Sequence, residues 1–185
     1  MDSSDAPQHE PAVQRALQQA RLLALDVDGT LTDGRVVYAG KDEAQHFDVR
    51  DGQGLAWLRR SEIAISWITG RGCTATERRA EELGVKELHL RAGPKDDVLR
   101  GVQSRLGIGP DETIVMGDDL PDLAMKRAAA LLCAPADADP RVRARAGLVT
   151  KARAGHGAVR EVAEAILRAK GLLDSILGRY LDEDA

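Results

Sequence analysis

Four mainly apolar runs, in "RLLALDV", "IAISWIT", "TIVMG" and "ALLCA", constrain this chain more than any other feature. None alternates polar with apolar residues, as a strand with one wet face would. Continuous apolar strands are buried on both sides, which is the habit of parallel sheets. The segments between them are helical in pattern and length. "TATERRAEELG" closes on Gly84, "PKDDVLRGVQSRLG" opens near Pro94 and closes on Gly107, and "LPDLAMKRA" precedes the run at Leu131. Glycine just past a helix end and proline near its start are ordinary punctuation. Strand and helix in alternation predict an α/β protein, a three-layer α/β/α Rossmann-like parallel sheet.

The rest of the chain fits around that frame. "AVQRALQQA" reads as a leading helix, and "VKELHL" and "LVT" as further strands. "GAVREVAEAILRAKGLLDSILGRYL" reads as one or two closing helices, broken near Gly171. "GRVVYAGKDEAQHFDV" contains two short runs about a turn and predicts a β-hairpin insertion. Residues 1–10 are expected to be a disordered tail, and 11–185 a single domain.

With 185 residues the chain can bury a core without disulfides. Aromatics are 3% of the sequence, so that core must be built from Leu, Ala, Val and Ile. A net charge of −4 offers no basic face for nucleic acid. Cys73 and Cys133 are far apart and read as free thiols. No run is long enough to span a membrane, and "MDSSDAPQHEP" lacks a secretory leader's basic and apolar parts. The expectation is a cytoplasmic protein with neither nucleic-acid nor membrane partners.

The residues that end the strands carry the chemistry. Asp26 and Asp28 follow the first run, then Gly29, Thr30 and Thr32. Thr69, Gly70 and Arg71 follow the second, Lys95 stands at a helix start, and Asp118, Asp119 and Asp122 follow "TIVMG". Parallel sheets bind ligands beyond the carboxyl ends of their strands, so these groups are expected on one rim. Carboxylates that close need a cation or a shared proton. Oxygen-only ligands suit Mg²⁺, and a hydroxyl, an ammonium and backbone N–H groups suit phosphate. The implied substrate is a phosphate ester. Asp26 and Asp28, two apart on extended chain, point the same way. One can attack phosphorus while the other carries protons.

Asp26-Val27-Asp28-Gly29-Thr30, Ile68-Thr69-Gly70-Arg71, Lys95 and Gly117-Asp118-Asp119-Leu120-Pro121-Asp122 resemble, in order, the motifs of the haloacid dehalogenase-like phosphatases. "DVDGTLTDGRV", "FDVRDGQG" and "GHGAVREV" narrow the resemblance to the 3-deoxy-D-manno-octulosonate 8-phosphate phosphatase family. The resemblance implies a role in lipopolysaccharide sugar biosynthesis, with a phosphorylated sugar acid as substrate. It makes Asp26 nucleophile and Mg²⁺ ligand, and Asp28 acid/base and ligand through its carbonyl. Asp118 is the third ligand, with Asp119 and Asp122 supporting. Thr69 and Lys95 bind the phosphoryl group. Gly29, Thr30, Thr32, Asp51, Gly70, Arg71 and Arg79 are the candidate substrate contacts. Asp51 has a second reading as a helix N-cap, and Arg79 as a surface partner of Glu82.

Too few residues separate these motifs to hold a cap domain. Cover for the site is expected from the hairpin or from the C-terminal segment "KARAGHGAVRE", supplied by a neighbouring subunit. The resemblance implies a homotetramer. A receiver-type phospho-acceptor domain is the non-enzyme rival, and a phosphatase acting on a nonulosonate 9-phosphate is the nearer one.

Overall fold

The computed structural model describes residues 10–40 and 42–181. The central sheet has six strands: β1 (Leu22–Leu25), β4 (Ala64–Ile68), β5 (Glu87–His89), β6 (Thr113–Met116), β7 (Leu131–Ala134) and β8 (Leu148–Val149). Their order is β5-β4-β1-β6-β7-β8, and every pairing is parallel. β1 lies between β4 and β6, and all four of its residues are buried. That placement explains its unbroken apolar sequence.

Side chains of β1 alternate between two separate cores. Leu23 and Leu25 join Leu17, Leu55, Leu58, Trp67, Val162 and Ile166. Leu22 and Ala24 join Ile68, Leu99, Val102, Met125 and Val142. The first core lies under α1 (Pro11–Gln19), α2 (Val49–Arg60), α3 (Thr74–Leu83), α7 (Ala158–Ala169) and α8 (Leu173–Leu181). The second lies under α4 (Lys95–Leu106), α5 (Leu123–Lys126) and α6 (Pro140–Arg143). Fully burying one such leucine contributes about 1.5–3 kcal/mol.

The three-layer expectation holds. "LPDLAMKRA" is a 3-10 turn, Leu120–Asp122, that runs into the four-residue α5. The closing segment is two helices, with Gly171 at φ +70 between them. α2 begins two residues earlier than its "DGQG" suggests: Asp48 is its N-cap, accepting from Arg50 N at 2.7 Å. The expected N-terminal tail falls, apart from Glu10, outside the described residues.

The hairpin β2 (Val37–Ala39) and β3 (Asp42–Ala44) pairs only with itself. Its return segment is anchored by a bridge between Thr32 and Phe47 and by the Phe47 ring, stacked 6.1 Å from Trp67. Among the described residues, β1 to β4 encloses only this hairpin and α2, and β4 to α4 only α3 and β5. Neither interval contains a cap domain.

Candidate active site

β1, β4 and β6 end side by side, so the residues after them share one rim. Asp26 leaves β1 with its N–H bonded to the Met116 carbonyl of β6 at 3.0 Å. Its side chain is 7% exposed. Lys95, the first residue of α4, reaches across the sheet edge. Its Nζ donates to Asp26 Oδ1 at 2.5 Å and to Asp122 Oδ1 at 2.6 Å. Burial disfavours the ammonium, but Asp26 and Asp122 outweigh it and raise the Lys95 pKa.

Asp26, Asp118 and Asp122 each bring an oxygen within 4.8 Å of the others. Burial, then the Asp122 charge, raises the Asp26 pKa from the ordinary carboxyl range to about 8. The same two causes raise Asp118 to about 6, against a hydrogen bond from Thr30 Oγ1 at 3.1 Å. Carboxyls held so far above their ordinary range are a site short of positive charge. A hard cation with oxygen ligands fits that donor set. Asp122 is the least available of the three. Its Oδ1 accepts from Lys95, and its Oδ2 from the Asp118 and Asp119 N–H groups at 2.9 and 3.1 Å. It anchors the loop and the lysine, which leaves Asp26 and Asp118 as the candidate cation ligands.

Two glycines make this closeness possible. A Cβ on Gly29, whose φ is +96, would lie 2.3 Å from Asp118 Oδ2. A Cβ on Gly117 would lie 2.3 Å from the Asp122 Cβ.

Asp28 stands apart from the cluster. Thr69 Oγ1 donates to its Oδ2 at 2.8 Å, and Gln45 Nε2 donates to its Oδ1 at 2.9 Å. Arg71 Nε lies 3.6 Å from Oδ1, while its Nη2 pairs with Glu43 at 2.9 Å. The Asp28 carboxylate is therefore not one of the clustered acids, and the side chain that joins Asp26 and Asp118 is Asp122. Thr69 also accepts from the Arg71 N–H at 3.0 Å, which fixes the turn through the exposed Gly70.

Several expected substrate contacts, and the expected metal-site support Asp119, have other partners. Thr30 and Thr32 are buried; Thr30 holds Asp118, and Thr32 Oγ1 accepts from Gly29 N and Gly34 N and donates to the Val27 carbonyl. Asp119 is exposed and caps the 3-10 turn through Leu120 N at 2.8 Å. Asp51 is 1% exposed and accepts from Arg160 N at 2.7 Å and Gly157 N at 3.3 Å. It caps α7 rather than its own helix, and burial, only partly offset by those N–H groups, raises its pKa. Arg79 pairs with Glu82 at 3.2 Å and lies against the α2 backbone at Gly52. Among the described residues, the hydrogen bonds of Asp51 and Arg79 go to these partners and not to Asp26, Asp118 or Asp122.

"KARAGHGAVRE" is tied to its own chain by backbone N–H groups. Gly155 N donates to the Thr30 carbonyl at 3.3 Å, Ala154 N to Asp137 Oδ1 at 2.9 Å, and Lys151 N to Glu161 Oε2 at 2.9 Å. Sequence reasoning missed Gln45, which reaches Asp28, Glu43, which pairs with Arg71, and Thr76 of α3, which holds Gln45. No local pattern marks them.

Comparison with known proteins shows the family. The family model of haloacid dehalogenase-like hydrolases matches residues 93–162, from before Lys95 through the Asp118–Asp122 loop to α7. The 3-deoxy-D-manno-octulosonate 8-phosphate phosphatase of Escherichia coli K12 is 38% identical over 166 residues, 89% of this chain and 88% of the relative. The crystal structure of the Yersinia pestis phosphatase of that name superposes with a TM-score of 0.89 at 34% identity, covering 94% of each chain. The Moraxella catarrhalis phosphatase was solved in complex with magnesium, phosphate and a KDO molecule. It superposes with a TM-score of 0.89 at 35% identity, covering 93% of this chain and 99% of that one. The chain belongs to the 3-deoxy-D-manno-octulosonate 8-phosphate phosphatase family of haloacid dehalogenase-like hydrolases.

Proposed function

We propose that this chain is a Mg²⁺-dependent phosphatase that hydrolyses 3-deoxy-D-manno-octulosonate 8-phosphate to the sugar acid and phosphate. The observation that carries the reading is Lys95, held between Asp26 and Asp122 beside Asp118 on one strand-end rim. The magnesium, phosphate and sugar acid bound by the Moraxella relative are the ligands this rim suits in charge and chemistry. A cytoplasmic setting and a step in lipopolysaccharide sugar synthesis belong to the same reading.

Asp26 and Asp118 would hold the ion, with Asp122 behind them. When bound, Mg²⁺ supplies positive charge that keeps Asp26 ionised and offsets charge on the phosphoryl oxygens. An Asp26 carboxylate oxygen attacks phosphorus. The bond from phosphorus to the sugar oxygen breaks, its electron pair stays on that oxygen, and Asp28 donates the proton. An aspartyl phosphate on Asp26 results. Water then gives a proton to Asp28 and attacks phosphorus, which restores the Asp26 carboxylate and releases phosphate. Lys95 compensates charge on the phosphoryl group, and Thr69 holds Asp28.

A homotetramer is part of the proposal. It rests on the hairpin, where the neighbouring Val36, Val37 and Tyr38 are exposed at 43%, 39% and 76%. Light scattering on wild type and Tyr38→Asp tests it: a monomeric wild type contradicts it.

The activity is tested by phosphate release from octulosonate 8-phosphate with Mg²⁺, with and without chelator, for wild type and Asp26→Asn. Turnover that needs Mg²⁺ and disappears in the variant is the expected result. Turnover that survives either loss refutes the assignment.

A further inference from the structure

Gln45, just after β3, places its side chain against the acid/base carboxylate. Its amide is held from both ends. Nε2 lies 2.9 Å from Asp28 Oδ1, and the Thr76 hydroxyl of α3 lies 2.5 Å from Oε1. The amide nitrogen thus faces Asp28 and the amide oxygen faces the Thr76 hydroxyl, so both ends of the Gln45 amide are used. Thr76 is 1% exposed, so it is a fixed support. Two residues on, Phe47 is locked by its bridge to Thr32 and its stack on Trp67. Gln45 therefore hangs from rigid neighbours on both sides.

Asp28 is consequently gripped oxygen by oxygen, Oδ1 by Gln45 and Oδ2 by Thr69. The two donors define one carboxylate plane. Thr69 comes from the sheet rim, but Gln45 comes from the insertion that no part of the parallel sheet needs. A misplaced acid/base group forfeits much of a proton-transfer advantage of about 10²–10⁴.

We propose that Gln45 is a positioning residue for catalysis: with Thr76 behind it, it orients the Asp28 carboxylate toward the departing ester oxygen. The hairpin is then a working part of the active site and not solely a surface element. The inference rests on the reading of Asp28 as the acid/base group.

The test uses Gln45→Leu, Thr76→Val and the double variant in the full-length, Mg²⁺-loaded protein. Two substrates are compared, octulosonate 8-phosphate with its alkoxide leaving group and 4-nitrophenyl phosphate with a leaving group that needs no proton. Gln45→Leu is expected to lower kcat/KM for the sugar phosphate about tenfold or more and to leave that for the aryl phosphate within about twofold. Thr76→Val is expected to give a smaller loss, and the double variant no more loss than Gln45→Leu alone, because Thr76 acts through Gln45. A damaged fold would lower both substrates together. Equal losses on both, multiplicative losses in the double variant, or an unchanged Gln45→Leu enzyme would each overturn the proposal. Wild type that fails to hydrolyse either ester would instead sink the phosphatase reading itself.

Discussion

Lys95 Nζ lies 2.5 Å from Asp26 Oδ1, the carboxylate proposed to attack phosphorus. Both side chains are nearly buried, and a second acid, Asp122, shares the same ammonium. The lysine thus offsets two negative charges that the low-dielectric rim would otherwise leave opposed. Replacing it by alanine leaves phosphoryl charge uncompensated as well. Lys95→Ala is expected to lower kcat about 10²–10³-fold, as losing one preorganised electrostatic partner does. Steady-state phosphate release measures it, and a loss below tenfold would deny Lys95 its role.

Acid strength gives a prediction about the protein without its metal. Asp26 and Asp118 are raised to about 8 and about 6 in the fold, from ordinary carboxyl values. Between about pH 4 and 8 the folded chain therefore holds more protons on them than the unfolded chain does. Stability then falls as pH rises across that window. The acids with lowered pKa values, Asp48, Glu87, Asp96, Glu112, Asp137 and Asp139, act in the opposite sense at lower pH, while Asp51, also raised by burial, adds to the fall. In chelator, Tm should decline from about pH 5 to about pH 8, and the gain in Tm from added Mg²⁺ should grow in parallel. A Mg²⁺ gain independent of pH would contradict the account.

Gly29 tests the geometry of the same site. Its backbone is left-handed and its absent Cβ would sit on the Asp118 carboxylate. Gly29→Ala should push Asp118 aside, at a backbone cost of about 1 kcal/mol or more. Weaker Mg²⁺ binding by calorimetry, together with reduced kcat, is the expected outcome. Unchanged Mg²⁺ affinity would show that Asp118 is not held as described.

Asp51 separates a structural from a substrate role. It joins α2 to the start of α7 through two backbone N–H groups and is buried. Asp51→Ala should cost about 1–2 kcal/mol as a lost helix cap, a drop of roughly 2–8 °C in Tm, with KM little changed. A KM that rises more than tenfold at unchanged Tm would return Asp51 to the substrate.

The rim was legible in the sequence because parallel topology puts every strand's end on one side. Asp26, Thr69, Lys95 and Asp118 each follow an apolar run or open a helix, so locating the runs located them. The division of the acids was not legible. Asp122 and Asp28 look alike as letters, and only their partners, Lys95 in one case and Thr69 with Gln45 in the other, separate anchor from proton carrier. The same holds for Asp51. Its "DG" suits the start of a helix, but the helix whose N–H groups it accepts from begins more than a hundred positions later. Gln45 was invisible for a related reason: a hairpin's register says which residues pair, not where its return strand crosses the sheet rim.

The central claim is tested most directly by a side-by-side measurement of kcat/KM with Mg²⁺ for octulosonate 8-phosphate, a nonulosonate 9-phosphate and simple sugar phosphates. The account predicts the highest value for octulosonate 8-phosphate. A higher value for either competitor, or no phosphate released from any of them, would contradict it.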